Sequence, residues 1–114
     1  MHKSSGSCPR REAVVAGGKG LIEIKDLAAK SELYDHARMF AHVTVHPGCS
    51  IGYHGHEHET EFYYILKGEA VFCDNGEETL LHPGDISATG FGQKHGLENR
   101  SDSDVELIAL IMLE

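Results

Sequence analysis

Asp74-Asn75-Gly76-Glu77 lies between two short runs of extended-chain residues, Ala70 to Cys73 and Thr79 to His82. Asn-Gly between two such runs is a strong hairpin signal, because both turn residues must take positive φ. The same grammar recurs along the chain. Phe40 to Val45 alternates, is rich in β-branched residues and stops at Pro47-Gly48, and Glu61 to Leu66 is aromatic and apolar and ends at Lys67-Gly68. Ile86 to Thr89 follows the turn Pro83-Gly84-Asp85, and Val105 to Leu113 is apolar on both faces, the pattern of a strand buried on both sides. Short strands separated by turn residues predict an all-β fold, a sandwich or barrel of antiparallel sheets. Only Asp26 to Leu33 has helical character, enough for one turn or two.

At 114 residues the chain has room for one domain. Residues 1–13 are polar and small, and are expected to form a flexible arm or a strand that orders against a partner subunit; residues 14–114 form the single domain. Gly17-Gly18-Lys19-Gly20 lacks the spacing of a phosphate-binding loop and precedes no helix signal, so it reads as a turn. No apolar run reaches the ~20 residues of a membrane span and no secretory leader is present, so no membrane partner and a cytoplasmic location are expected. A net charge of −8 spread along the chain is the wrong sign for a protein that neutralises phosphates, so no nucleic-acid partner is expected. Cys8, Cys49 and Cys73 have no metal-knuckle spacing and suit free thiols in a reducing compartment.

Nine histidines are the unusual entry in this composition. Imidazole is the side chain of choice for a metal site or for proton transfer near neutral pH. Three of the nine, with three acids, fall in the segment Gly52-Tyr53-His54-Gly55-His56-Glu57-His58-Glu59-Thr60-Glu61. Side chains two apart share a strand face, so His54 and His56 can converge on one ion. Glu61 lies at an odd offset from His56, and a loop or bulge between them would let it re-enter facing inward. A fourth donor must come from elsewhere, and His95 has the best context: it follows the glycine-rich turn Gly90 to Lys94 and shares a face with Leu97 and Asn99. Three neutral imidazoles and one carboxylate around a divalent ion leave a six-coordinate site with two open positions. Glu57 and His58 read as exposed loop residues, His46 as solvent-facing, and His42 as either cavity-lining or solvent-facing. Tyr63 shares the inward face of Glu61, which makes it a candidate catalytic acid–base residue or a core residue, and Asn99 reads as a turn-holding residue.

These positions resemble those of the cupin family. Its first motif, G-x5-H-x-H-x4-E-x6-G, is matched by Gly48, His54, His56, Glu61 and Gly68, and its second, G-x5-P-x-G-x2-H-x3-N, by Gly84, Gly92, His95 and Asn99. Gly90 stands where the family has proline, a departure that bears on loop stiffness and removes no donor. The motif core spans residues 48–99. The resemblance implies a cupin-type β-barrel (a double-stranded β-helix, or jelly roll), a divalent metal held by His54, His56, Glu61 and His95, and a homodimer.

Two functions are compatible with this set. The favoured one is a metal-dependent enzyme acting on a small oxygen-bearing molecule, a carboxylate, sugar or enediol chelated at the ion; the resemblance is to a family containing dioxygenases, decarboxylases, isomerases and lyases. The alternative is a non-catalytic metal- or ligand-binding or sensing module. The mixed nitrogen and oxygen donors suit manganese, iron, nickel, copper or zinc alike.

Overall fold

The computed structural model describes residues 1–114. Ten strands carry the fold: β1 Arg10–Ala13, β2 Ile22–Asp26, β3 Ala37–Val45, β4 Ser50–Gly55, β5 Glu59–Lys67, β6 Ala70–Asp74, β7 Glu77–Leu81, β8 Ile86–Thr89, β9 Lys94–Glu98 and β10 Val105–Leu113. They form two antiparallel sheets, one of six strands in the order β1-β2-β3-β10-β5-β8 and one of four in the order β4-β9-β6-β7. The Asn75-Gly76 turn joins β6 to β7, and both of its residues take positive φ. Helical structure is limited to short 3-10 turns, one of them at Lys30–Leu33, inside the segment expected to be helical. No helix is long and apolar enough to cross a membrane.

Alternation along the strands builds the core. Ala41, Val43 and Val45 of β3, Val105, Leu107, Ala109 and Ile111 of β10, and Tyr63 and Ile65 of β5 point inward from the larger sheet; Ile51, Ala70, Phe72, Leu81 and Leu97 meet them from the smaller one. Each large side chain among them contributes about 1.5–3 kcal/mol by leaving water. Asn99 is fully buried at one end of this core. Its amide donates to the carbonyls of Val45 and Ser103 at 2.9 and 2.7 Å, and its carbonyl accepts from the Ser101 backbone and hydroxyl. It holds the turn into β10.

Two expectations need correction. β10 is apolar on both faces but buried on only one: Glu106, Ile108, Leu110 and Met112 face outward and are half-buried or exposed, because no further layer covers that side of the six-stranded sheet. Residues 10–13, expected within a loose or partner-paired arm, instead pair with β2 of the same chain, Arg11 opposite Ile24. An edge strand needs no apolar alternation. Here its pairing is extended by the Asp26 N–H donating to the Pro9 carbonyl at 2.9 Å and by Arg11 bridging Asp26 at 3.1 Å.

The Gly17–Gly20 segment is a strap laid against β4. The Gly52 N–H donates to the Val15 carbonyl and the Ser50 N–H to the Lys19 carbonyl, at 3.1 and 2.8 Å. A Cβ on Gly52 would sit 2.0 Å from the Ala16 carbonyl oxygen, and one on Gly18 2.1 Å from that of Ser50, so both positions require glycine for the close approach.

Candidate metal centre

The centre sits at the opposite end of the inter-sheet space from Asn99 and draws on both sheets. His54 and His95 are directly paired across β4 and β9. The pairing register of those strands shifts between Ile51 and His54, a bulge that re-aims the His54 side chain. His56 lies just past the end of β4, where its N–H donates to the Gln93 carbonyl and its carbonyl accepts from Gly92, at 3.1 and 2.8 Å. Residues 56–58 carry the chain to the other sheet, and β5 brings Glu61 in facing the histidines. The resetting of register expected between His56 and Glu61 is therefore a crossing between sheets.

The four side chains converge. The Nε2 atoms of His56 and His95 are 3.0 Å apart, those of His95 and His54 3.3 Å, and Glu61 Oε1 lies 3.1, 3.0 and 3.9 Å from the Nε2 atoms of His56, His95 and His54. Adjacent donors held about 2.1 Å from a common ion in an octahedral sphere are separated by about 3.0 Å. The donor spacing thus fits one ion at the centre of the group. His56, Glu61 and His95 are at most 4% exposed, whereas His54 is half-buried and marks the open side.

Outer contacts orient the rings. His54 Nδ1 donates to the Gly52 carbonyl at 2.7 Å and His56 Nδ1 to the Glu59 carboxylate at 2.8 Å, because neither acceptor can supply a proton. His95 Nδ1 pairs with the Thr89 hydroxyl at 2.8 Å, and Thr89 lies opposite Glu61 in the β5–β8 pairing. On the neutral His54 and His56 rings Nε2 is thereby presented inward as a lone pair, the form in which imidazole ligates, and the Thr89 contact fixes the orientation of the His95 ring. Glu59 is itself clamped by Arg38 in a two-pronged pair, both contacts 2.7 Å. Glu59, Thr89, Arg38 and the Gly52 carbonyl went unforeseen in the sequence; only Glu59, three residues from His56 in the same histidine-rich stretch, carried any signal.

Electrostatics follow from this packing. Burial pushes the Glu61 carboxyl up, but the facing imidazoles of His54, His95 and His56 outweigh it and hold the group at about 2. The Arg38 guanidinium holds Glu59 at about 2 as well. The facing Glu61 carboxylate raises His54, while burial lowers His95. Tyr63 is buried, with its ring stacked on His95 at 4.9 Å between centroids and 10° between planes. Burial first and then the Glu61 charge push its phenol well above the usual range, so it keeps its proton at neutral pH and can serve as a hydrogen-bond donor.

The other expected residues fall outside the centre. Glu57 and His58 are exposed, and His58 pairs with Glu114. His42 turns to the outer face of its sheet and meets Glu106 at 2.9 Å; His46 bridges Asp104 and Glu23, both at 2.8 Å. Gly90 makes a contact that proline could not: its N–H donates to the Gln93 side chain at 2.8 Å, while the Gln93 N–H returns to the Gly90 carbonyl. The turn before His95 is thereby closed without the ring. A cavity of about 320 Å³ opens beside the centre, with His54, His56, Glu61 and Tyr63 at one end and Arg11 and Arg38 among its other lining residues.

Comparison with known proteins agrees with this architecture. The family model described as a cupin domain matches residues 41–111. An oxalate-binding protein of Thermotoga maritima is 42% identical over 111 residues, covering 97% of this chain and 92% of the relative. A crystal structure described as a predicted oxalate decarboxylase, also from Thermotoga maritima, superposes with a TM-score of 0.95 at 39% identity over the full length of both chains. A Thermus thermophilus structure gives 0.71 at 26% identity, covering 81% of this chain and 83% of that one. The barrel, both motifs and these likenesses place the chain in the cupin family.

Proposed function

We propose that this cupin holds one divalent transition metal through His54, His56, Glu61 and His95, and binds a small carboxylate at the ion's open positions. The observation that carries the reading is the convergence of the three Nε2 atoms and Glu61, with separations of 3.0–3.3 Å for four pairs and 3.9 Å between His54 and Glu61, and each Nδ1 tied elsewhere. A bound ion would supply Lewis acidity and a point of chelation for oxygen donors. Arg11 and Arg38, each about half exposed, offset the chain's net negative charge at the cavity rim and favour the arrival of an anion. The Thermotoga maritima relative is named for oxalate, which makes oxalate the first anion to try. Manganese, iron, nickel, copper and zinc all suit the donor set.

Catalysis is a second reading, supported by Tyr63. The residue lines the cavity beside the ligand set, and its hydroxyl can act as a hydrogen-bond donor to a chelated carboxylate. The decisive experiment is elemental analysis of the purified protein followed by oxalate titration of the metal-loaded form. Stoichiometric metal that is lost in His54→Ala and His95→Ala supports the site; metal content unchanged in both variants refutes it. Turnover of the bound carboxylate, reduced in Tyr63→Phe with binding retained, would move the reading from binding module to enzyme.

A homodimer belongs to the same proposal. The outer face of the six-stranded sheet aligns Phe40, Leu110 and Phe62 in one cross-strand row and Ile108, Tyr64 and Ile86 in the next, with Tyr64 45% and Ile86 64% exposed. A contiguous apolar face of this kind is what a second copy would cover. A monomeric mass in solution scattering would remove that element. A cytoplasmic setting is proposed alongside it, supported by the three unpaired cysteines.

A further inference from the structure

The cavity changes character along its length. The pairing register lays neighbouring inward residues side by side: Glu61 on β5 beside Ile111 on β10, and Ile111 beside Met39 on β3. One row over, Tyr63 stands beside Ala109; a row further, Val43 on β3 stands beside Ile24 on β2. All of these line the cavity. Starting from Glu61, the one candidate metal donor on β5, the floor is therefore hydrocarbon from the next strand onward. Three strand spacings of ~4.8 Å separate β5 from β2, a run of about 14 Å.

Size points the same way. A volume of about 320 Å³ would hold about ten waters at ~30 Å³ each, and a two-carbon dianion displaces only a few of them. If such a dianion chelated the ion through one oxygen of each carboxylate, its two outer oxygens would need donors. Beyond the Tyr63 hydroxyl beside Glu61 the apolar floor has none, and the two guanidinium groups at the rim are already paired with carboxylates, Arg38 with Glu59 and Arg11 with Asp26. An oxygen left facing hydrocarbon costs free energy, whereas an aliphatic group there gains it.

We infer that the preferred ligand of this centre is a 2-oxo or 2-hydroxy acid with an aliphatic tail of several carbons, its carboxylate and adjacent oxygen on the metal and its tail over Ala109, Ile111, Met39 and Val43. The inference rests on the metal-and-carboxylate reading above and assigns the ligand class within it. Each methylene laid on the floor tightens binding by up to about fourfold. With part of the tail left wet, three added carbons give about tenfold.

The test is a titration of the cobalt(II)-loaded protein, followed by the visible absorption of the ion, with oxalate, pyruvate and 4-methyl-2-oxopentanoate at one pH and salt. The expected result is 4-methyl-2-oxopentanoate binding at least about tenfold more tightly than pyruvate. In Met39→Asn, verified as folded by its melting curve, that ratio should fall below about threefold. Uptake of cobalt with a flat series, or with oxalate the tightest of the three, overturns the ligand class and leaves the metal reading intact. No cobalt uptake, or no spectral response to any of the three acids, overturns the underlying reading and this inference with it.

Discussion

Replacing Glu59 tests how the ligand set is held. Glu59 accepts the His56 Nδ1 proton at 2.8 Å and is gripped by Arg38 through two contacts of 2.7 Å. The His56 side chain is 2% exposed, so water cannot take over when the carboxylate is removed. In Glu59→Leu the Nδ1–H becomes a buried donor without an acceptor, a cost of about 1–3 kcal/mol, or the ring shifts its proton to Nε2 and ceases to be a ligand. Loss of such an orienting partner costs 10–100-fold in metal affinity, or about 1.4–2.7 kcal/mol, so the two routes agree in size. Glu59→Gln keeps an acceptor oxygen and should recover most of the loss. Two measurements check this: metal affinity by competition with a chromophoric chelator, and the histidine tautomers of the metal-free protein by nitrogen NMR. The second reads the mechanism without any ion present. Affinity within twofold of wild type in Glu59→Leu, with His56 still protonated at Nδ1, would refute the positioning role.

Three further outcomes are expected. His46 has a raised pKa, chiefly through its hydrogen bond to Asp104, so its stabilising contribution is full below the unfolded value of about 6.5 and is lost as pH rises through the folded value. His46→Gln should therefore narrow the stability advantage of pH 5.5 over pH 9, by under about 1 kcal/mol for a side chain 43% exposed, as read by urea denaturation at both pH values. Gly52→Ala would drive a methyl to 2.0 Å from the Ala16 carbonyl, displacing the 14–20 strap from β4 and costing about 1–3 kcal/mol or more; equal melting temperatures would contradict the close approach. Asn99→Ala leaves the buried Val45 carbonyl without its side-chain donor and frees the turn into β10, for a loss of about 2–3 kcal/mol by chemical denaturation, with metal affinity unchanged because the residue is at the far end of the core.

What the sequence disclosed divides along a physical line. Strands with their own turn signals were legible, because a run such as Ile86–Thr89 or Val105–Leu113 is bounded by residues that cannot continue it. The four-residue cluster was legible because His54 and Glu61 sit on two consecutive strands with His56 just past the first, and His95 follows a turn whose glycine takes positive φ. β1 escaped notice because an exposed edge strand of Arg10, Arg11 and Glu12 has no periodicity to display. The outer face of β10 was misjudged because an apolar run does not say whether a second layer will cover it. Arg38 and Thr89 were beyond reach for a further reason. They meet Glu59 and His95 only through contacts set by the three-dimensional pairing of β5, β8 and β9 with their neighbours, and spacing along the chain does not encode that.

The outer contacts also bear on why this cluster calls for a cation. With the Nδ1 protons of His54 and His56 committed to a carbonyl and a carboxylate, those rings can offer only lone pairs toward the centre. His95 brings its own Nε2 to 3.0 and 3.3 Å from the other two, and Glu61 adds a carboxylate that its surroundings keep ionised. Facing lone pairs at such separations repel unless a proton or a metal ion lies between them, and protonating a buried imidazole such as His95 is opposed by desolvation. A single divalent ion would remove the repulsion in one step and tie β4 and β9 of one sheet to β5 of the other. Part of its binding energy would therefore appear as resistance of this end of the barrel to opening, while the Leu107–Ile65 end, closed by hydrocarbon and by Asn99, holds together without it.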